Sequence, residues 1–155
     1  MLAGELVARG HAVRGTTRAE TQLAAIEAAG AEAVLGDPDV VGTLARSFEH
    51  VSVACVLLGS ATGTEAELSA LHGTRLDMLL TRMVDTTLRG VVYEATGSVD
   101  RAVLAAGAAL VRARCEDARI PHALLRVDPA DHRAWTVAAL AAVDSALAGA
   151  GVGPR

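Results

Sequence analysis

Two periods of apolar residues alternate along the chain. Val51 to Leu58 is a nearly unbroken apolar run containing three valines, and it stops at the small-residue turn Gly59-Ser60-Ala61-Thr62-Gly63. Its length, β-branching and glycine bounds predict a strand rather than a helix. A strand that is apolar on both faces belongs in a parallel sheet covered by helices on each side. Ligands of such sheets bind beyond the carboxyl ends of the strands, so the turn at 59–63 is a candidate wall of a site.

The flanking segments repeat the alternation. Upstream, Leu2, Leu6 and Val7 share one helical face, and Gly10 supplies a stop. His11 to Arg18 reads as a strand, residues 19–29 as a helix carrying Leu23 and Ile26, and Ala31 to Leu35 as a second short strand. Gly36-Asp37-Pro38 predicts a capped helix start, followed by an apolar stripe of Val40, Val41, Leu44 and Phe48. Downstream, Thr64 and Glu67 have the spacing of a capping box. A helical region then extends to about Thr87, interrupted at His72-Gly73, with Leu76, Leu79, Leu80, Met83 and Val84 facing inward. Gly90 to Ala95 is the next strand, and Asp100 caps a helix within 99–118. A last strand follows Ile120-Pro121. Asp128-Pro129 predicts the start of a final helix through Leu147, whose stripe of Trp135, Ala139, Val143 and Leu147 suits a core or a subunit contact. The order predicts an α/β fold: a three-layer, mostly parallel sheet with helices on both faces and about five strands. Residues 1–148 read as one domain, with 149–155 as a flexible tail.

Composition narrows the partners. A chain of 155 residues with 52% hydrophobic and 21% charged residues is an ordinary globular balance, but only 2% is aromatic, so aliphatic residues must fill the core. The formal net charge of −4 gives no basic patch for nucleic acid or an acidic membrane, and all 14 cationic side chains counted as Lys plus Arg are arginines. Cys55 and Cys115 read as reduced thiols of a cytoplasmic protein. No apolar run has membrane-spanning length, and Glu5 and Arg9 interrupt any leader-like start. The five histidines, His11, His50, His72, His122 and His132, lack metal-ligand spacing and read as surface or capping residues, so no metal site is expected.

The string from Leu2 to Arg18, LAGELVARGHAVRGTTR, followed by Ala29-Gly30-Ala31-Glu32 and Gly36-Asp37-Pro38-Asp39, resembles the NAD(P)-binding Rossmann domain of the extended and atypical short-chain dehydrogenase/reductases, nearest to the epimerase/dehydratase-like and NmrA-like proteins. The resemblance extends through Val91-Val92-Tyr93. It implies a dinucleotide cofactor and a small-molecule substrate. Proteins of that group open with a strand and a glycine-rich turn that holds the cofactor pyrophosphate. Met1 sits where the helix after that turn would already be under way, so the first strand is expected to be missing and to leave a gap beside the Val51 strand.

By the same resemblance, Arg18 occupies the position that senses the adenosine ribose, with Thr17 beside it. An arginine there suits a 2′-phosphate and favours NADP(H) over NAD(H), although a solvated arginine next to Glu20 explains it equally. Asp37 corresponds to a residue near the adenine, with helix capping as its simpler role. Gly59, Ser60 and Ala61 correspond to the loop under the cofactor ribose, where small residues permit close approach. Tyr93, Thr96 and Ser98 are the catalytic candidates. Tyrosine chemistry in this group needs a lysine four residues on, and that position is Gly97. The readings left open are an oxidoreductase or epimerase/dehydratase acting without the Tyr-Lys pair, a non-catalytic dinucleotide-sensing module, and a truncated chain without cofactor that persists in a homo-oligomer.

Overall fold

The computed structural model describes residues 2–150. Helices and strands alternate as α1 (Leu2–Ala8), β1 (Arg14–Thr17), α2 (Leu23–Ala28), β2 (Glu32–Leu35), β3 (Val53–Val56), α3 (Glu65–Ala70), α4 (Leu76–Val84), β4 (Gly90–Glu94), α5 (Arg101–Asp117), β5 (His122–Leu125) and α6 (His132–Ala150). A 3₁₀ segment, Val41–Phe48, leads into β3, and a π-helical turn, Leu71–Arg75, joins α3 to α4. Gly10 and Gly30 follow α1 and α2 with φ of 88° and 81°, the left-handed conformation that ends a helix without a Cβ penalty.

Every strand pairing is parallel. β1 pairs with β2 in register Gly15 to Ala33, and β3, β4 and β5 form a second sheet in that order, with Cys55 opposite Val92 and Val92 opposite Ala123. Among the described residues no hydrogen bond joins β1 to β3, so the sheet is in two pieces. The break falls beside the Val51 run, where the sequence led us to expect a gap.

Side-chain alternation along the three-stranded sheet builds two cores. Val91 and Tyr93 of β4, with Val56 of β3, face Leu76, Leu79, Leu80 and Met83 of α4, Ala108, Val111 and Cys115 of α5, and Leu44 and Phe48 of the 3₁₀ segment. Val92 and Leu125 face the other way, onto Ala139, Leu140, Val143 and Ala146 of α6 and onto Leu2 and Leu6 of α1. Helices therefore cover both faces, and every residue of β4 is buried. β3 has only one neighbouring strand, and its Val53, Ala54 and Cys55 are half-buried.

Several expectations needed correction. Asp37 does not cap the next helix: its Oδ1 accepts the Asp39 N–H at 2.9 Å in a local turn, its own N–H donates to Thr43 Oγ1, and the segment that follows starts at Val41 without a side-chain cap. Val40 points outward at 56% exposure, leaving Val41, Leu44 and Phe48 as the stripe. Asp128 likewise closes a turn onto the Ala130 N–H, and Asp131 bonds the first turn of α6 through the Ala134 N–H. In both places two aspartates compete for one role, and the nearer one to the helix takes it or the turn absorbs both. α6 continues to Ala150, past Leu147, so Gly149 and Ala150 are helical; residues 151–155 of the expected tail lie outside the described residues. The capping box at Thr64 and Glu67 and the Asp100 cap are both present as expected.

The tightest packing lies under β4. A Cβ on Gly107 of α5 would collide with Tyr93 Oη and reach 3.2 Å from the His72 carbonyl. Overpacking of a closed core costs about 1–3 kcal/mol. Gly107→Ala is expected to lower the melting temperature by that amount, whereas Ala105→Ser on the exposed face of the same helix leaves it unchanged, as measured by thermal unfolding followed by circular dichroism.

Candidate functional site

The carboxyl ends of the strands gather the sequence-nominated residues along one rim, but not into one cavity. After β3, the turn beginning at Gly59 packs directly on the turn after β4. The Gly59 N–H donates to Glu94 Oε2 at 2.8 Å, and the Gly59 carbonyl accepts the Val99 N–H at 3.0 Å. A Cβ at Gly59 would meet the Thr96 carbonyl, and one at Gly97, whose φ is +151°, would meet the Gly59 carbonyl. The small residues thus serve contact between the two turns. Ser60 is exposed above this contact, and the Ala61 N–H bonds back to the Leu58 carbonyl at 3.1 Å.

Glu94 was not singled out from the sequence, and it is the buried charged residue of the rim, at 4% exposure. Its Oε2 takes the Gly59 N–H and its Oε1 takes the Trp135 indole N–H, also at 2.8 Å. Each donor offsets the cost of removing a carboxylate oxygen from water. One side chain therefore fixes the β3 turn, the end of β4 and the first turns of α6. The only sequence signal was an acidic residue closing the otherwise apolar VVYE strand.

Tyr93 lies on the opposite face of β4 and is wholly inaccessible, at 0% exposure. Its Oη is 2.7 Å from His72 Nδ1, and His72 Nε2 is 3.2 Å from the Leu58 carbonyl. A carbonyl can only accept, so Nε2 carries the proton and Nδ1 accepts the Tyr93 O–H from a neutral imidazole. Burial, together with the charge of Glu94, pushes the Tyr93 phenol far above its ordinary range. His72 is 2% exposed, which corrects its reading as a surface residue. The π-helical turn that contains it carries its ring into the core, and burial lowers its pKa against a smaller opposing contribution from the Leu58 carbonyl. No sequence pattern links residues 72 and 93. Thr96 is half-buried between the turns, and Ser98 is exposed beside them.

At the end of β1, Thr17 Oγ1 accepts the Ala19 N–H at 3.1 Å and stabilises a turn. Arg18 is exposed and makes no hydrogen bond or ion pair among the described residues. It faces the start of α3: the Glu67 carboxyl is held below its ordinary range by the Thr64 backbone and hydroxyl, and further by the Arg18 charge. Asp37 sits on its own turn after β2. A hollow of about 420 Å³ opens between α3 and α5, lined by Glu65, Leu68, Val99, Asp100 and Val103, and it includes none of the nominated residues. Among the described residues there is no group of three side chains able to hold a metal, and no helix is long and apolar enough to cross a membrane.

No protein-family profile and no curated protein matches the chain. Solved structures do share its fold. The Citrobacter sp. triphenylmethane reductase complexed with NADP(H) superposes with a TM-score of 0.61 at 17% identity, over 81% of this chain and 44% of that one. A second structure of the same reductase gives 0.60 at 16% identity with the same coverage. The protein gox2253 gives 0.66 at 15%, over 79% of this chain and 46% of that one. The chain spans less than half the length of these proteins, and at such identities the likeness defines the architecture, a Rossmann-like α/β fold.

Two measurements probe the rim. Glu94→Gln puts an amide donor against one of two buried N–H groups, and is expected to cost about 1–3 kcal/mol and to shift Trp135 emission in urea titrations. His72 is buried neutral with its pKa below the ordinary 6.5, so the unfolded chain binds the extra proton first. Its contribution to stability is complete above pH 6.5 and falls as the pH drops toward the lowered folded value. Melting temperatures measured from pH 7.5 to pH 5 should decline, and His72→Gln, which retains an acceptor for Tyr93 Oη, should flatten that decline.

Proposed function

We propose that this chain is an NADP(H)-binding unit of the short-chain dehydrogenase/reductase type that holds the adenosine 2′-phosphate end of the cofactor. The observation that carries the reading is Arg18: an exposed guanidinium at the carboxyl end of β1 with no internal partner, in a fold shared with a reductase solved in complex with NADP(H). A free guanidinium there can pair a phosphate through two parallel N–H bonds. Thr17, Asp37, Gly59, Ser60 and Ala61 are the accompanying residues of the site, with the 59–61 turn beneath the ribose.

The fit is to one half of the cofactor. The turn before α3 offers no grip for the pyrophosphate, because Glu67 Oε2 already takes the Thr64 N–H at 2.7 Å and places an acidic group where a phosphate would approach. Bound NADP(H) would supply hydride chemistry, but the residues here contribute binding and orientation. The non-catalytic, dinucleotide-sensing reading is favoured over turnover by a specific pair of facts: Tyr93 Oη is buried against His72, and the sequence contains no lysine to assist it. Thr96 and Ser98 remain the hydroxyls nearest the rim that a small-molecule substrate could meet. A soluble, cytoplasmic setting accords with the free, buried thiols, whose pKa values burial raises to about 11.

The test is binding by the 2′-phosphate end alone. The probe 2′,5′-ADP is expected to raise the melting temperature, with NADPH stabilising more than NADH. Arg18→Ala should weaken 2′,5′-ADP binding by about 10- to 100-fold, the worth of a charged hydrogen-bonded pair. Equal responses to NADPH and NADH, or no response to either, would remove this reading.

A further inference from the structure

The break in the sheet has two facing edges, and both are unpaired. In a parallel ladder, the N–H and C=O of alternate residues point to the same side. The Glu32 N–H bonds the Val13 carbonyl at 2.9 Å, and the Gly36 N–H bonds the Thr17 carbonyl at 2.8 Å. Residues 13, 15 and 17 therefore serve β2, and the backbone groups of Arg14 and Thr16 point away from it. On the other piece, the Val91 N–H bonds the Pro121 carbonyl and the Ala95 N–H bonds the Leu125 carbonyl, so odd residues of β4 serve β5 and even ones serve β3. With Cys55 opposite Val92, the partners on β3 are Ala54 and Val56. The backbone groups of Val53 and Cys55 then point away from β4, and no hydrogen bond takes them up among the described residues.

The two edges also run the same way. At the start of β1, Arg14 Nη1 reaches the Ser47 carbonyl at 3.1 Å and the Glu49 carbonyl at 3.2 Å, in the segment that leads into β3. At the far end, Arg18 lies close enough to Glu67, beyond β3, to act on its charge. Apolar side chains line the interval: Val13, Val53, Cys55 and Leu57 are half-buried against Leu2 and Leu6 of α1 and against α6, and Ala54 and Leu58 lie on the opposite face. Unpaired backbone next to an apolar lining is costly to leave open, since each unmade buried bond costs about 1–3 kcal/mol.

We infer that the interval between β1 and β3 is a strand-acceptor site, which takes an extended aliphatic segment of another polypeptide as a parallel strand and joins the two sheets into one. The occupant is specified by the edges. It needs main-chain donors and acceptors on both sides, which an extended peptide has and a helix lacks. It spans about four to five residues, the length of the flanking strands. It is aliphatic and β-branched on both faces, because one face meets α1 and α6 and the other the core under the 3₁₀ segment. Proline is excluded, because a central strand uses every N–H. This inference is independent of the dinucleotide reading, since it involves the backbone of the strands and not the Arg18 side chain.

The experiment measures amide exchange by NMR on the whole chain, alone and with a synthetic valine- and isoleucine-rich peptide of about six residues flanked by lysines. Without peptide, the amides of Arg14, Thr16, Val53 and Cys55 should exchange at least about tenfold faster than those of Val91 and Val92, which are paired within the sheet. With peptide, all four should slow together by about tenfold or more, and the same peptide N-methylated at alternate residues should leave them fast. Failure of the unmodified peptide to slow any of the four overturns the proposal, as does equal protection by the N-methylated peptide. Protection that grows with protein concentration without peptide would make a second copy the occupant and also overturn it. Loss of 2′,5′-ADP binding in Arg18→Ala leaves these outcomes untouched, so the two readings fail separately.

Discussion

Glu94 is the interaction on which the working end of this fold depends. A carboxylate buried at the end of the central strand must find donors, and it finds one in the β3 turn and one in α6, both at 2.8 Å. Because those donors belong to elements far apart in sequence, satisfying one side chain positions three segments at once. The close approach of Gly59 and Gly97 follows, since only residues without a Cβ allow the two turns to lie as near as the carboxylate draws them. The rim where a Rossmann-like sheet binds its ligands is in this sense arranged around a charge that no ligand touches.

The same logic separates what the rim can bind from what it can catalyse. Binding requires free donors at the surface, and Arg18 supplies them. Proton transfer requires an accessible group with a tuned pKa, and Tyr93 is neither accessible nor tuned downward. Its partnership with His72 is a core contact, a hydrogen-bonded pair that lets two polar side chains occupy the layer beneath α5. Similarity of architecture to a reductase therefore extends to the scaffold and to a charge at the end of β1, while the tyrosine has been turned into packing.

Much of the scaffold was legible in the sequence because period and punctuation are local. The Val51 run, the leucine stripe at 76–83 and the Thr64–Glu67 box each carry their signal within a few residues, and each formed. The break beside β3 was also legible, though only through the order of elements. What was not legible depends on pairs distant in sequence. His72 looked like a surface histidine because its partner Tyr93 lies 21 positions away. Glu94 looked unremarkable because its donors lie 35 and 41 positions away. Asp37 and Asp128 misled for a different reason: an aspartate before proline stabilises a tight turn as readily as a helix start, and a second aspartate nearby decides which.

The π-helical turn at Leu71–Arg75 bears on how this chain tolerates change in length. An α-helix advances about 100° per residue, so the extra residue held in a π turn sets the face of everything after it. Here the phase change lets α4 present Leu76, Leu79, Leu80 and Met83 to the sheet while α3 keeps the capped, solvent-facing start at Thr64. Removing one residue at Gly73 would restore a regular helix and swing that leucine face by about a quarter of a turn, away from the core it fills. The segment behaves as a splice between two helical phases, and its length, more than its composition, is what relatives of this chain would have to preserve.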